Sequence, residues 1–458
     1  MEIAWRRDTF VALSTAVGRA ALAVVRASGP LCGEIYREAF CREPVHRVAS
    51  CLNYKSSSGE VLDSVVATFF KNPNSFTGDD MVEISCHGNP IIVEQIIGDM
   101  VIRGCRMAEP GEFTRRAFLN GKLDLSQAEA VAELIHGKTM AAVSRAGRQL
   151  CGELGRTLAA VREPLLDLLA AIESAIDFSD EGLPEPDWPQ ICEKLANLRR
   201  RVESLAETYR HKRHIDNGIG IVIAGAANAG KSSILNFLLA RDRAIVSPVA
   251  GTTRDFIEES MQLGPWLLRL VDTAGICEQP SELDLLSMER SEEKIAEEDF
   301  VLLVVDGAGE VDGAAAMAER LHGKRGAIVF NKRDLPEFMP RQHGALDGLA
   351  WPAISISTKI PDDCVKLRNF IGDTLKANNL LPDCEDVSVN FRQMELLRAS
   401  AAHLSAAEDL IVKFGPWPAV ECVAEELHAA NRALAEVVGE DVSRAVLDRI
   451  FSTFCVGK

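Results

Sequence analysis

The stretch from Gly225 to Ser233 constrains the fold of this chain more than any other. It has the spacing G-x-x-x-x-G-K-[ST], follows the apolar run at 219–224 and opens the apolar segment at 234–239. This context predicts a strand, a tight turn and a helix. Glycines let backbone N–H groups turn inward, Lys231 reaches the terminal phosphates of a nucleotide, and the Ser232 hydroxyl can ligate Mg²⁺. The stretch therefore predicts a binding site for a phosphate chain.

Four further segments follow this phosphate loop in order: Gly251–Asp255, Asp272–Gly275, Asn331–Asp334 and Ser357–Lys359. In the first, a threonine hydroxyl can complete the shell of Mg²⁺ and sense the γ-phosphate. The second ends a predicted strand, which places a carboxylate near the metal and a glycine N–H near the γ-phosphate. A glycine turn that merely precedes a helix would explain the first stretch alone. Five segments in this order are instead typical of translation-factor-like GTPases.

Base recognition is assigned to Asn331–Asp334, which ends the apolar run 327–330. Ligands bind at this carboxyl edge in parallel sheets. A carboxylate there accepts hydrogens from guanine N1–H and N2–H₂, which adenine does not offer, and Ser357–Lys359 can close over the base. The expected reaction is in-line attack of water on the γ-phosphate of GTP, with Mg²⁺ and Lys231 offsetting charge.

Hydrolysis also needs a group that orients the attacking water. The residue after Gly275 is Ile276, whose side chain cannot do this. Either a partner supplies the group, or a monovalent cation and a downstream carboxylate do. Asn228 could ligate K⁺ through its side-chain oxygen, and Arg254 is a further candidate catalytic residue. The downstream carboxylates, for which a solvated acidic loop is the alternative interpretation, are Glu278, Glu282 and Asp284.

The rest of the chain is organised around this α/β segment. The full chain of 458 residues is long enough for two to four domains. Short β-like runs with turns precede residue 120, and a helical period of apolar residues runs from Ser126 to about 178 and returns after 389. We predict an N-terminal α+β domain at 1–120, a helical domain at 121–215 and 375–458, and a P-loop GTPase domain with a Ras-like parallel sheet inserted at 216–374.

Composition indicates where in the cell the protein is expected and which kinds of partner are unfavourable for it. No window approaches the roughly 20 apolar residues of a membrane span, and the first residues lack the apolar core of a signal peptide, so we expect a cytoplasmic protein without a membrane span. The twelve cysteines show no metal or disulfide pattern. The net charge is −17, although residues 1–120 carry 13 Lys/Arg against 14 Asp/Glu. This charge argues against a broad basic face for nucleic acid.

With these residues in hand, the chain resembles the MnmE (TrmE) family of tRNA modification GTPases. The resemblance extends nearly from end to end. The segments that carry it are Asp8-Thr9, Asn74–Gly88, Glu109–Glu133, Gly225–Ser233, Gly251–Asp255 and the ending Ile450–Lys458. The stretch from Glu109 to Leu125 and the terminal Phe-Cys-x-Gly-Lys are specific to that family among GTPases.

The resemblance implies an N-terminal domain that forms a homodimer and binds a tetrahydrofolate derivative, in its 5-formyl or 5,10-methylene form. It implies a K⁺-dependent G domain that uses GTP and Mg²⁺. It further implies a flavin-dependent partner of the MnmG (GidA) type, in a heterotetramer that contacts tRNA mainly through that partner. Together they would install a carboxymethylaminomethyl or aminomethyl group on C5 of the wobble uridine, U34.

Family positions carry over residue by residue. Folate contacts match Arg26, Glu83, Lys122 and Lys458, and Cys455 matches a C-terminal cysteine that is either a catalytic thiol or a buried apolar residue. The resemblance implies Mg²⁺ ligation by Ser232 and Thr253, and K⁺ ligation by Asn228, Ser247, Val249 and Thr252. The nucleotide-binding candidates are Asn228, Ala229, Gly230, Lys231, Ser232, Ser233, Ser247, Thr252, Thr253, Asp272, Thr273, Ala274, Gly275, Asn331, Lys332, Asp334, Ser357, Thr358 and Lys359.

Three positions depart from the family pattern. The loop Gly18–Ala23 has lost its later glycines, which alters the expected folate geometry. The catalytic glutamate of the family aligns with Asp284, one methylene shorter, so Glu282 could substitute for it. Cys277 replaces a basic residue. A different class of function is a regulatory GTPase switch in ribosome assembly or stress control, which would need neither the N-terminal nor the C-terminal family segments.

Overall fold

The computed structural model describes residues 8–177, 187–226, 228–239, 257–264, 266–272, 298–309, 321, 323–339, 344–380, 387–414, 416–440 and 442–457. The chain divides into two compact units. Unit 1 comprises Met1–Ile135, Gly147–Glu203 and Glu395–Lys458, and unit 2 comprises His136–Ala146 and Ser204–Met394.

Unit 1 begins with a six-stranded sheet of order β3-β4-β5-β2-β1-β6. Its pairs are antiparallel except for β1 and β6. The strands are β1 Phe10–Leu13, β2 Leu22–Ser28, β3 Ser50–Lys55, β4 Val61–Phe70, β5 Met81–His87 and β6 Arg106–Met107. Two helices, α1 Cys32–Phe40 and α2 Pro90–Ile102, pack on this sheet. The predicted α+β domain is therefore confirmed.

Alternation along β2 determines which side chains enter the core of this sheet. Ala23, Val25 and Ala27 face α1 and α2 and are buried. Because successive side chains in a strand point to opposite faces, Arg26 lies on the other face. The start of helix α2 is capped, since the Asn89 side chain accepts the N–H of Ile91 and Pro90 occupies the first turn.

Helices make up the rest of unit 1 and continue into unit 2. They are α3 Glu112–Leu119, α4 Leu125–His136, α5 Met140–Leu150, α6 Glu153–Asp177, α7 Trp188–Asn217, and, after the α/β segment, α10 Phe391–Phe414, α11 Pro416–Val438 and α12 Arg444–Phe451. The two chain segments are joined where α6 packs on α11. Arg162 of α6 reaches Glu440 at 2.8 Å, just beyond the end of α11.

Unit 2 holds a second six-stranded sheet, of order β12-β11-β10-β7-β9-β8. Its pairs are parallel except that between β8 and β9. The strands are β7 Ile219–Ala224, β8 Ile257–Leu263, β9 Trp266–Asp272, β10 Phe300–Asp306, β11 Gly326–Asn331 and β12 Ala353–Ser355. The accompanying helices are α8 Lys231–Leu239 and α9 Asp362–Ala377, with a 3₁₀ helix at Gly344–Leu349.

The central strands of this sheet are buried on both faces. In β7, Ile221 and Ile223 join the core under α8 and α9, while Val222 and Ala224 join a second core with residues of β10 and β11. Near-continuous apolar runs are what doubly covered parallel strands require. The predicted Ras-like parallel sheet, interrupting a helical domain, is confirmed. Of the helices in the described part of the chain, none combines the length and apolar character that a membrane crossing requires.

Candidate guanine-nucleotide site

The phosphate loop leaves β7 through backbone conformations that its sequence makes possible. Gly225 has φ 154°, and a Cβ there would lie 2.2 Å from the carbonyl oxygen of Val304. Gly230 has φ 97°, and a Cβ there would lie 2.3 Å from Nδ2 of Asn331. Between them Asn228 adopts φ 62°, a left-handed conformation that asparagine tolerates better than most residues. Both glycines are therefore required by close approach as well as by φ.

Lys231 is the first residue of α8, at the positive end of the helix dipole. Its ammonium donates to the carbonyl oxygens of Gly225 at 3.0 Å and Ala226 at 2.9 Å. These two contacts hold the charge over the concave side of the loop. A phosphate chain bound there would meet the Lys231 ammonium together with the N–H groups of the helix N-terminus.

Asn331, at the end of β11, connects the base loop, Asn331–Asp334, with the phosphate loop. Its side chain is 2% exposed, and Nδ2 donates to the carbonyl oxygen of Ala229 at 3.1 Å. The buried Oδ1 accepts no hydrogen bond from any described residue. A buried amide oxygen of this kind needs a partner, and a bound base or water would supply one.

Lys332 follows with φ 66°, and its ammonium contacts Oδ2 of Asp306 at 2.6 Å. Asp306 is the last residue of β10, the strand beside β11, so the ion pair joins the ends of two adjacent parallel strands. It fixes the aliphatic part of Lys332 at the edge where a base would lie.

Asp334 is the carboxylate that the sequence assigns to guanine. Ser357 donates its hydroxyl to Oδ1 at 2.6 Å, and Lys359 approaches Oδ2 at 3.1 Å. These two donors hold the pKa of Asp334 below its usual value. The group is consequently ionised at neutral pH and able to accept two N–H hydrogens side by side.

These residues surround a cavity of about 680 Å³, within the usual size range of small-molecule sites. Its lining contains residues from the phosphate loop, the base loop and the segment after β12. They are Asn228, Gly230, Lys231, Ser232, Ser233, Asn331, Lys332, Asp334, Leu335, Thr358 and Lys359. Two other candidates, Ala229 and Ser357, are buried behind this wall and support it.

A second group of candidates lies in unit 1. Arg26 of β2 and Glu83 of β5 are paired across the sheet, and their side chains form an ion pair at 2.6 Å. The Arg26 guanidinium lies 5.6 Å from the ring centre of Phe113 and 5.8 Å from that of Phe76. Charged and aromatic groups are thus combined on the face of the sheet opposite α1 and α2.

The C-terminal segment is attached to the same unit. The N–H of Gly111 donates to the carbonyl oxygen of Cys455 at 3.4 Å, and Ser14 donates its hydroxyl to Gly457 at 3.1 Å. The Cys455 thiol is exposed, which differs from the buried apolar alternative. Lys122 is also exposed. It follows the C-terminal end of α3, whereas Gly111 precedes the N-terminal end of that helix.

Comparison with known proteins decides the family. The model described as "GTP-binding protein TrmE N-terminus" matches residues 9–122, and the model "MnmE helical domain" matches residues 125–455. A protein named "tRNA modification GTPase MnmE" from Opitutus terrae is 40% identical over 98% of this chain and 99% of its own. This chain belongs to the MnmE family of tRNA modification GTPases.

Other relatives of this MnmE family member carry the same name. The protein from Chlorobium chlorochromatii is 36% identical over 100% of this chain and 99% of its own, and that from Dechloromonas aromatica is 37% identical over 99% and 100%. Among solved structures, the G domain of T. maritima FeoB covers 34% of this chain and 98% of its own at 20% identity, with a TM-score of 0.28. A TM-score of that size does not establish a shared fold.

Several candidates in this MnmE family member fall outside the described residues. They are Ser247, Val249, Thr252, Thr253, Arg254, Thr273, Ala274, Gly275, Glu278, Glu282, Asp284 and Lys458. Asp272 is described by its backbone, which ends β9 opposite Ile223 of β7. That position lies at the carboxyl edge of the sheet, beside the strand that enters the phosphate loop.

The altered loop Gly18–Ala23 is held to the end of β5 by its backbone. Ala20 donates its N–H to Gly88 at 3.0 Å, and Gly88 donates to Ala21 at 3.3 Å. A Cβ on Gly88 would lie 2.4 Å from the Ala20 carbonyl oxygen, so the two segments touch. The loop therefore has defined hydrogen bonds despite the loss of its later glycines.

Sequence reasoning missed three residues of the nucleotide site. Leu335 lines the cavity, Asp306 holds Lys332, and Asp363 is bound to the base loop. The first two had local signals, since Leu335 follows the Asn-Lys-Arg-Asp segment and Asp306 ends an apolar run. For Asp363 the sequence offers only an acidic residue in the first turn of α9, which is ordinary for a helix.

The site also fits the metal that GTPases use. Ser232 lies on the cavity wall next to Lys231, and its hydroxyl is a hard oxygen ligand of the kind that Mg²⁺ prefers. Within the described part of the chain, His, Cys, Asp and Glu side chains form no group of three that could hold a metal by themselves.

Proposed function

We propose that this protein is a GTP hydrolase acting in tRNA modification. The observation that carries the proposal is the coincidence of two findings in one chain. Family models of tRNA modification GTPases match residues 9–122 and 125–455, and the α/β segment within the second match contains a cavity lined by the phosphate loop and by Asn331, Lys332 and Asp334. A regulatory switch in ribosome assembly would require only the latter.

The proposed reaction is attack of water on the γ-phosphate of GTP. Lys231 and the N-terminus of α8 would hold the phosphates. The Asp334 carboxylate would select guanine by accepting hydrogen bonds from the N1–H and the N2 amino group of the base. Mg²⁺, held by Ser232 and Thr253, would offset negative charge when bound. These residues would position the phosphates and the base, and a separate group would orient the attacking water.

We assign water orientation to the segment that contains Arg254, Glu282 and Asp284. The proposal includes K⁺, with Asn228, Ser247, Val249 and Thr252 as ligands. Asn228 supports it, because this residue of the phosphate loop lines the cavity. GTP turnover in KCl and NaCl, measured for the wild type, Asp284→Ala and Glu282→Ala, tests this part. Equal turnover in both salts would refute K⁺ dependence, and full activity of Asp284→Ala would remove that residue.

For the modification itself, we propose that a tetrahydrofolate one-carbon unit is used to build the (carboxymethyl)aminomethyl group on U34. Arg26, Glu83, Lys122 and Lys458 would bind the folate. The support is chemical: a guanidinium, a carboxylate and the exposed ring of Phe76 occur together, and such a set suits a flat heterocycle with polar edges. Cys455 is exposed on the same unit and stays a candidate thiol.

The proposed assembly is a homodimer that works with a flavin-dependent protein of the MnmG type as a heterotetramer. The net charge of −17 supports assigning most tRNA contacts to that partner, because phosphate neutralisation requires Lys and Arg. Mixing the two purified proteins and measuring the mass of the complex tests this arrangement. Separate elution of the two proteins at micromolar concentration would refute it.

A deletion strain tests the function as a whole. Its bulk tRNA, digested to nucleosides and analysed by mass spectrometry, should lack C5-aminomethyl-type wobble uridines. Expression of the wild-type chain should restore them, and Lys231→Ala, which removes the phosphate-binding ammonium, should not. Wobble uridines that are unchanged in the deletion strain would refute the role in tRNA modification.

A further inference from the structure

Asp363 is a buried carboxylate next to the nucleotide cavity but not in its lining. It lies in the first turn of α9, and its side chain is 0% exposed. Its Oδ2 accepts the N–H of Ser357 at 2.9 Å, and Arg333 reaches both carboxylate oxygens, at 2.8 and 2.9 Å. Lys366, from the same helix, approaches Oδ1 at 3.1 Å.

Arg333 belongs to the base loop, between Lys332 and Asp334. Its backbone N–H donates to the carbonyl oxygen of Ile356 at 3.1 Å, so the base loop is tied to the segment after β12 by main chain as well as side chain. The Arg333 side chain is 38% exposed. Arg333 therefore has one side toward Asp363 and another toward solvent.

The contacts close a ring around the guanine carboxylate. Asp334 accepts from the Ser357 hydroxyl, the Ser357 N–H donates to Asp363, and Asp363 binds Arg333, the neighbour of Asp334 in the chain. A displacement of any member moves the others, because each link is a short hydrogen bond to a charged group. The two loops that would hold the base are thereby fixed to one buried group.

A buried carboxylate is retained only when its charge is compensated. Burial would raise the pKa of Asp363, but the hydrogen bonds from Ser357 and Lys366 and the charge of Arg333 together lower it. The group is thus ionised at neutral pH. Removal of Arg333 would leave Lys366 as its charged partner, and Lys366 belongs to α9, so it cannot connect the two loops.

We propose that Arg333 and Asp363 form a positioning pair that fixes Asp334 for guanine and thereby sets base selectivity. This inference rests on the proposed function, in which the cavity binds a guanine nucleotide. The pair acts through Ser357 and Asp334 and has no direct contact with the base. If the ion pair only stabilised the fold, its loss would change thermal stability and leave base selectivity unaltered.

Inosine nucleotides separate these two roles. Hypoxanthine keeps the N1–H of guanine and lacks the N2 amino group, so a correctly placed Asp334 gains its second hydrogen bond with GDP only. Misplacement of Asp334 should weaken GDP binding more than IDP binding. The ratio of the two dissociation constants therefore reports the position of the carboxylate, and loss of general folding does not mimic it.

The experiment uses the full chain and compares Arg333→Met with the control Lys366→Met, which removes a cation from the same carboxylate without separating the loops. Dissociation constants for GDP, IDP and ADP are measured by competition with a fluorescent GDP. Arg333→Met should weaken GDP binding about 5- to 10-fold and IDP binding less than about 2-fold. Lys366→Met should leave the ratio within about 1.5-fold of the wild type, and Arg333→Lys should recover part of the loss.

An unchanged GDP-to-IDP ratio in Arg333→Met would overturn the positioning role, as would an equal change in Lys366→Met. The wild type distinguishes this failure from failure of the proposed function. If the wild type binds ADP as tightly as GDP, the guanine site itself is refuted. If it selects GDP while Arg333→Met selects GDP equally well, only the positioning pair is refuted.

Discussion

Position 230 in the phosphate loop leaves no room for a side chain, which a substitution there would test. Gly230 combines a left-handed φ of 97° with direct contact to Asn331, whose amide is buried and bonded to Ala229. Any side chain at 230 must push that amide away. The phosphate loop and the base loop are therefore coupled at Gly230, where a side chain would displace Asn331.

We expect Gly230→Ala to weaken GDP binding at least about 10-fold, because Asn331 loses its bond to Ala229 and the backbone is strained. Titration of the purified protein with a fluorescent GDP measures the effect. Gly98→Ala is the matched control: Gly98 lies in α2, and a Cβ there meets nothing within 4 Å. That control should bind GDP normally, and normal binding by Gly230→Ala would contradict the coupling.

At this scale the sequence predicts residues whose role depends on neighbours in the chain. Lys231 and Ser232 follow the loop glycines, and Asn331 and Asp334 end a strand, so motif spacing is sufficient to find them. Asp363 is different. Its contacts with Arg333 and Ser357 depend on the angle at which α9 begins, and no local pattern specifies that angle.

Among the elements, the helical body shows what periodicity can and cannot determine. The run from Ser126 to about 178 reads as continuous helical period, yet the structure divides it into α4, α5 and α6. Gly152, with φ 80°, marks the second break and is visible in the sequence, whereas Gly137-Lys138-Thr139 gives a weaker signal for the first. In contrast, Pro164 lies within α6, which continues through it.

The C-terminal segment is an element whose place depends on one glycine. A Cβ on Gly457 would lie 2.2 Å from the Leu13 carbonyl oxygen, at the end of β1, and φ there is 92°. Main-chain atoms cannot yield as a flexible side chain can. The segment that carries Cys455 should therefore separate from the end of β1 when this position is filled.

We expect Gly457→Ala to accelerate hydrogen exchange at the amide of Gly111, which donates to Cys455, and to lower the unfolding free energy by about 1–3 kcal/mol. Exchange mass spectrometry and chemical denaturation provide the measurements. Gly121→Ala serves as control, since Gly121 also has positive φ, 65°, but a Cβ there meets nothing within 4 Å. Equal effects of the two substitutions would show that steric overlap with β1 is unimportant.

For the whole molecule, two units with different candidate ligands predict that each ligand protects a different set of backbone amides from hydrogen exchange. The sequence predicts three domains rather than these two units, because strand and helix signals change character along the chain. It could not assign α5, which contributes Met140 to Ala146 to unit 2 and its remaining residues to unit 1. That division within a single helix arises from packing that periodicity does not encode.

GDP with Mg²⁺ should slow hydrogen exchange in β7, α8 and β11, and leave β2 and β5 unchanged. A reduced 5-formyl folate should do the reverse, protecting β2 and β5 around Arg26 and Glu83. Peptide-level exchange with each ligand alone tests both expectations on one sample of protein. Protection of β2 and β5 by GDP, without protection of β7 and α8, would contradict the assignment of the sites.

The central claim is that unit 2 binds and hydrolyses a guanine nucleotide through Asp334, and nucleotide turnover tests it most directly. The wild type should hydrolyse GTP with a kcat/KM at least about 100-fold above that for ATP. Asp334→Asn should shift preference from GTP to XTP, because an amide N–H can donate to the C2 carbonyl of xanthine where a carboxylate repels it. Equal turnover of GTP and ATP by the wild type, or an Asp334→Asn variant that still prefers GTP, would contradict the account.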